Sequence, residues 1–306
     1  MSSRIYIIGS GAIGKALAVF LKQANKSVVL VRGSVDNIPD TNEMISVNGT
    51  DETFRENIAT TSFSNMATIQ GTVLITTKTF ANETIAEKLK LKTGDFSIVL
   101  LQNGLSIERP FDCFDKVYRC VLFSTSQVIN DNEVNFKTVK PSPVGVINGN
   151  KKNLDLIVEQ ISTPHFRFSS ERNIQKLVWT KVIANCAFNS ICPLLETDNG
   201  IFHRNAEVAK LAKIVIKECV AIAQIQGVEL IENDLIENLM LISKRSDGQL
   251  ISTYVDLLNK RKTEIESLNL EIANIAKERN MVNMVTNTRL LGELIKLKSQ
   301  LNTTEY

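Results

Sequence analysis

Along the first half of the chain, short apolar runs alternate with stretches whose apolar residues recur every three or four positions. The runs at 5–9 (IYIIG), 27–32 (SVVLVR), 72–77 (TVLITT), 96–102 (FSIVLLQ) and 119–126 (RCVLFSTS) are brief and rich in Val and Ile, and read as strands. Between the first two, Ile13, Leu17, Phe20 and Leu21 fall at helical spacing, and residues 82–91 form a second amphipathic stretch. Strand–helix–strand repetition predicts a parallel sheet covered by helices. From Asn173 onward helical periods dominate. Residues 173–195 make one long apolar helix stopped near Pro193, and residues 206–227 another, with Gly227 placed to cap its C-terminus. Residues 231–245 and 263–280 continue the helical pattern. The boundary falls near 165–172, dividing the chain into residues 1–168 and 169–306.

The first run ends in a loop of defined chemistry. Gly9-Ser10-Gly11-Ala12-Ile13-Gly14 follows a strand and opens a helix. Gly9 permits the tight turn, Gly11 lets a pyrophosphate approach the backbone, and Gly14 lets the helix pack closely on the strand. The helix N-terminus then offers unpaired N–H groups and a positive dipole end to phosphates. The alternative is a tight turn without ligand. With the loop the first domain reads as an α/β, Rossmann-like fold, while the helical periods after Asn173 make the second all-helical. An NAD site places Asp or Glu at the end of the second strand. Here that position holds Arg32, followed by Gly33 and Ser34, so a 2′-phosphate finds a guanidinium and NADP(H) is the expected cofactor. Arg32 as an ordinary solvated strand-end arginine is the alternative. Asp36 lies too far along for a ribose ligand.

A second constellation lies on the first long helix of the second half. Lys181, Asn185 and Asn189 are four apart and share one face, among Val178, Trp179, Val182, Ile183, Ala184, Ala187 and Phe188. A polar stripe on an otherwise apolar helix predicts an enclosed polar cleft; a surface stripe is the alternative. A lysine there can protonate a carbonyl oxygen as hydride reaches the carbon, given a partner to orient it. Ser252, Asp256 and Glu264 are candidates, at intervals of four and eight, in a segment that is a helix or a loop leading into one. Gln102-Asn103-Gly104 ends the fourth strand and Lys78 the third, where ligands of open parallel sheets sit. His165 and His203 show no triad or metal context and read as structural.

Composition narrows the picture by exclusion. Of 306 residues, 43% are apolar and 22% charged, with net charge +2, so no basic field argues for nucleic acid or an acidic membrane. No apolar stretch approaches the roughly 20 residues that span a bilayer. The five cysteines have no metal-ligand spacing and read as free thiols of a reducing compartment. The first strand begins at Arg4 or Ile5, leaving no room for a charged leader. A cytoplasmic protein without a metal is expected; the long apolar helices permit a homodimer.

In order and spacing, these pieces resemble the ketopantoate reductases: GSGAIG at 9–14, Arg32, Lys78, QNG at 102–104, W-x-K-x-x-x-N-x-x-x-N at 179–189, and S-x-x-x-D…R-x-T-E at 252–264. The resemblance covers almost the whole chain. It implies a dinucleotide-binding domain joined to a helical one, with the active site in the cleft between. It implies Lys181 as general acid and Glu264 as anchor of the substrate hydroxyl and organiser of Lys181. Asn103, Asn185, Asn189 and Ser252 would bind the 2-oxo acid, Ser252 at its carboxylate and Asn103 also near the nicotinamide. Residues 9–14, Arg32 and Lys78 would hold NADP(H). The chain departs from the family pattern at Asn269-Leu270, where glycine usually follows the asparagine, and at Val285, usually proline. Residues 127–147 also lack the usual glycine-rich, histidine-containing form. The departures leave open another 2-oxo acid or an opine-type imine as substrate, and binding alone would suit a non-catalytic NADP(H) sensor.

Overall fold

The computed structural model describes residues 4–33 and 35–303. The chain divides into two compact units, Met1–Gln102 with Ile107–Ile174, and Asn103–Ser106 with Gln175–Tyr306. Ser34 lies outside the described residues.

In the first unit the order is β1 (Arg4–Ile8), α1 (Ala12–Gln23), β2 (Val28–Arg32), β3 (Thr41–Asn48), β4 (Thr53–Ser62), β5 (Gly71–Ile75), α2 (Asn82–Lys90) and β6 (Phe96–Leu100). There follow β7 (Val117–Cys120), β8 (Ser124–Asn130), β9 (Glu133–Thr138), β10 (Ser142–Asn148), α3 (Leu154–Ile161) and β11 (Phe168–Ser170). All join one 11-stranded sheet in the order β11-β10-β7-β6-β5-β1-β2-β4-β3-β9-β8. The central strands β7-β6-β5-β1-β2-β4 are mutually parallel. Antiparallel pairs β3/β4, β8/β9 and β7/β10 extend the sheet on both sides.

Alternation along the central strands sends side chains to two separate cores. Ile5 and Ile7 join α1 and α3 on one face, while Tyr6 and Ile8 join α2 on the other; Val28/Leu30 and Val29/Val31 split in the same way. Burying each such side chain stabilises the sheet by about 1.5–3 kcal/mol. This two-sided burial is why the strands read as unbroken apolar runs. The run at 119–126 behaves differently from expectation. It reads as one strand, yet it leaves the sheet after Cys120 and re-enters at Ser124 as β8, at the opposite edge.

The second unit contains α4 (Ile174–Leu194), α5 (Ile201–Arg204), α6 (Ala206–Ile225), α7 (Glu232–Arg245), α8 (Ser252–Leu258), α9 (Asn269–Glu278) and α10 (Thr286–Thr303), with no strand among the described residues. Gly227 ends α6 with φ +75°, its N–H donating to Gln224 O while Val228 N–H donates to Ala223 O. The expected helix at 263–280 is interrupted at Leu268 (φ −113°, ψ −107°), and α9 starts at Asn269. The buried Asn269 amide pins that start, donating to Cys186 O at 3.2 Å and Thr288 O at 3.4 Å. Leu270 fits because α10 carries Gly292 opposite it, where a Cβ would stand 2.8 Å from Leu270 Cδ2. Glu218 binds the start of α10 through the N–H groups and side chains of Asn287 and Thr288. No described helix is long and apolar enough to cross a membrane.

Candidate active site

Chain order reverses direction across the sheet between β1 and β5, the point where open parallel sheets take their ligands. The glycine loop leaves β1 there. Gly9 has φ +117°, and a Cβ on it would stand 2.8 Å from Thr77 N. Gly9 N–H donates to Val31 O at 3.1 Å, which sets the end of β2 beside the loop. Thr76 Oγ1 donates to Gly9 O at 2.9 Å and fixes it from the β5 side. A Cβ on Gly14 would collide with the Gly9 carbonyl oxygen, so the first turn of α1 packs as closely as a helix can.

Gly11 is the opposite case. It is exposed, no described residue lies within 4 Å of where its Cβ would be, and it caps α1 without a side-chain hydrogen bond or an acidic residue in the first turn. The first N–H groups of α1 and the exposed Ser10 therefore border open space, a cradle shaped for phosphate. Ala12 and Ile13 are half-buried, and Ile13 packs against the core below. These residues fit the pyrophosphate of a dinucleotide.

Arg32 ends β2 half-buried. Its Nη2 donates to Glu43 Oε1 at 2.6 Å and Thr41 Oγ1 at 2.8 Å. Asp36 does not face this group. It accepts from Ser64 N–H at 2.7 Å, Asn37 N–H and Lys88 Nζ at 3.1 Å, stitching the segment after β2 to the turn after β4. The Ser64 N–H above all holds its carboxyl well below the usual carboxylate range. Lys78 follows β5, half-buried. Gln102, two residues past β6, is buried, donating to Thr77 O at 2.9 Å and exchanging amide hydrogen bonds with Asn82 of α2.

In the second unit Lys181 and Asn185 lie half-buried on α4, and Asn189 is 2% exposed. The helix around them is buried at Val178, Trp179, Val182, Ile183, Ala184, Cys186, Ala187 and Phe188. The two asparagines differ. The Asn185 side chain makes no hydrogen bond among the described residues. Asn189 donates from Nδ2 to Asn185 O at 3.0 Å, and its Oδ1 lies 3.4 Å from both Ser252 Oγ and Thr253 N at the start of α8. The structure thus brings Asn189 and Ser252 together. Asp256, one turn further along α8, is buried and pairs with Arg261 at 3.1 Å.

Glu264 is not on α8, which ends at Leu258; it stands half-buried before a short turn at Ile265–Ser267. That turn meets the Asn103–Ser106 segment. Leu105 N–H donates to Ser267 O at 2.8 Å, and Gly104, at φ +116°, lies so close that a Cβ would be 2.6 Å from Ser267 Cβ. Asn103 is thereby placed next to the Glu264 segment, although 161 positions separate them in sequence (264 − 103). Ser267 and Glu43 carry no motif, and the pairing geometry of their segments is the only signal that reveals them.

Residues 5–149 match the family described as ketopantoate reductase PanE/ApbA, and residues 173–299 match its C-terminal domain. The chain is 24% identical over 303 residues to a 2-dehydropantoate 2-reductase of Streptococcus pyogenes serotype M6, covering 96% of this chain and 97% of the relative. It is 25% identical over 314 residues to that of Pyrococcus horikoshii, covering 97% and 98%. The fold superposes on D-mandelate dehydrogenase in ternary complex with NADH and anilino(oxo)acetate (TM-score 0.86, 18% identity, 99% and 100% covered). It superposes also on a dimeric ketopantoate reductase from Staphylococcus aureus (TM-score 0.82, 20% identity, 98% and 99% covered). The chain is an oxidoreductase using a nicotinamide nucleotide, and it belongs to the ketopantoate reductase family.

Proposed function

We propose that this chain reduces ketopantoate (2-dehydropantoate) to pantoate with NADPH, the reductive step of pantothenate synthesis. The observation that carries this reading is the α4 stripe: a half-buried lysine one turn from an asparagine amide that no described residue engages, on a helix otherwise buried. A reduced nicotinamide, when bound, supplies hydride to the keto carbon. Lys181 gives a proton to the keto oxygen as negative charge develops there: an N–H bond breaks, an O–H bond forms, and the amine regains its proton from water. Glu264 takes the substrate hydroxyl and orients Lys181. Asn185 and Asn103 hold the 2-oxo acid through their amides, Asn103 also meeting the nicotinamide. Ser252 donates to the substrate carboxylate, and Asn189 contributes by fixing the Ser252 end of α8.

On the nucleotide side, residues 9–14 take the pyrophosphate, with Arg32 and Lys78 as the cations that meet the phosphates of NADP(H). Initial rates with ketopantoate, pyruvate and 2-oxoisovalerate test the substrate. A kcat/KM for ketopantoate at least about tenfold above the others is expected, since its extra hydroxyl must fill a polar site. Equal values would overturn the assignment. Leu270 packs in a buried cluster with Leu257, Ile265 and Ile295 at the position where glycine is usual in the family, and the second reading takes this departure to change the substrate, so that a different branched 2-oxo acid wins that comparison. We place the reaction in the cytoplasm, in keeping with five free cysteines. A homodimer fits the exposed Leu290, Leu294, Leu297 and Leu301, whose 4-3-4 spacing along α10 makes a self-complementary seam. A monomeric mass in solution would refute it.

A further inference from the structure

Arg32 is not a lone cation awaiting a phosphate. The pairing of β3 with β4, and of β4 with β2, carries Thr41 and Glu43 to the end of β2. There Glu43 Oε1 lies 2.6 Å from Arg32 Nη2, in an ion pair whose side chains are 20% and 27% exposed. Asp40, just before β3, adds a second carboxylate; bonded by Asn65 and Thr61, it also feels the Arg32 charge. Arg32 Nη1 is buried and has no hydrogen-bond partner among the described residues. A dianionic 2′-phosphate reaching Arg32 therefore meets the Glu43 carboxylate already paired with it, in a partly buried setting less screened than bulk water. A ribose 2′-hydroxyl meets no such repulsion and finds in Glu43 an acceptor of the kind that NAD sites use at the end of the second strand.

We propose that Glu43 is a specificity-determining residue of the nucleotide site: it competes with the 2′-phosphate for Arg32, so that the chain accepts phosphorylated and unphosphorylated dinucleotides with similar affinity. This rests on Arg32 lying at the adenosine ribose, as in the function proposed above. In sequence, Glu43 stands well past the usual acidic position, inside a polar strand, and only the sheet register brings it to β2.

The test is calorimetric titration of the whole chain with 2′,5′-ADP and with 5′-AMP, probes that differ only in the 2′-phosphate. In the unaltered chain the two dissociation constants fall within about tenfold of each other. A hundredfold or greater preference for 2′,5′-ADP overturns the proposal without any variant. Glu43→Gln keeps a hydrogen-bonding side chain at Arg32 but removes the charge. It tightens 2′,5′-ADP binding about tenfold, the scale of a partly exposed ion pair, and leaves 5′-AMP binding unchanged or weaker. The ratio of kcat/KM for NADPH over NADH rises by a similar factor, through KM for NADPH. Unchanged or weakened 2′,5′-ADP binding in this variant overturns the proposal, the latter showing that Glu43 only orients Arg32. If neither probe nor either dinucleotide binds the unaltered chain, the assignment of the nucleotide site itself falls.

Discussion

Replacing Gly104 with alanine tests whether Asn103 is held by the turn that carries Glu264. Gly104 has φ +116°, a region in which a side chain costs about 1–3 kcal/mol. The new methyl would also stand 2.6 Å from Ser267 Cβ and Oγ and 2.9 Å from Ser267 O, a clash with backbone and not merely with a flexible tip. Overpacking of that kind costs a further ~1–3 kcal/mol. Gly104→Ala is therefore expected to destabilise the protein by roughly 2–6 kcal/mol, read from denaturant midpoints. Relief of the clash with Ser267 shifts Asn103 relative to the Glu264 segment, and a displacement of about 1 Å at a site residue lowers kcat/KM about 100-fold. The double variant Gly104→Ala/Ser267→Gly removes the Cβ and Oγ obstacles but leaves the positive φ, so it should recover about half of the lost stability. A single variant within about 0.5 kcal/mol of the parent, with kcat/KM intact, would refute the close approach and the role built on it.

Lys181→Ala is expected to lower kcat by about 10²–10⁴ while the dissociation constant for the nucleotide stays the same, measured by single-turnover rates beside a binding titration. Asn185→Ala should raise KM for the 2-oxo acid with little change in stability. Asn189→Ala should instead cost about 1–3 kcal/mol in denaturant unfolding, because Thr253 N–H and Ser252 lose their acceptor at the start of α8. Asp36 makes stability depend on pH. Its folded pKa lies below the unfolded value, so its contribution is complete above about pH 4 and is lost as pH falls toward the folded value. Asp36→Asn should therefore flatten the acid limb of a stability–pH curve while leaving its slope above pH 6 unaltered.

What the sequence makes legible follows from where each residue is buried. Strands β1, β2, β5 and β6 are covered on both faces and so appear as continuous apolar runs. Strand β3 (TNEMISVN) is half polar, and β8 is exposed along most of its length; neither announces itself by composition. The run at 119–126 misleads because hydropathy cannot register the chain's departure from the sheet between Cys120 and Ser124. The break before α9 is hidden in the same way, since the 3.6-residue pattern continues through Leu268 while the backbone there leaves the helical region.

The same distinction separates the parts of the site. Spacing alone reveals groups carried on one element: the glycine loop ahead of α1, and Lys181, Asn185 and Asn189 on α4. It shows that three side chains share a face, and not that Asn189 is occupied with α8 while the Asn185 side chain is engaged by no described residue. Groups that act across elements need register or turn geometry to be seen. Glu43 reaches Arg32 only because β3 returns antiparallel along β4, and Ser267 reaches Gly104 only because Glu264 lies off the helix that its spacing implied. Sequence motifs in such a protein therefore report the groups bound to the chemistry itself. The residues that tune selectivity and hold those groups in place are set by the fold, which leaves them free to vary without disturbing any motif.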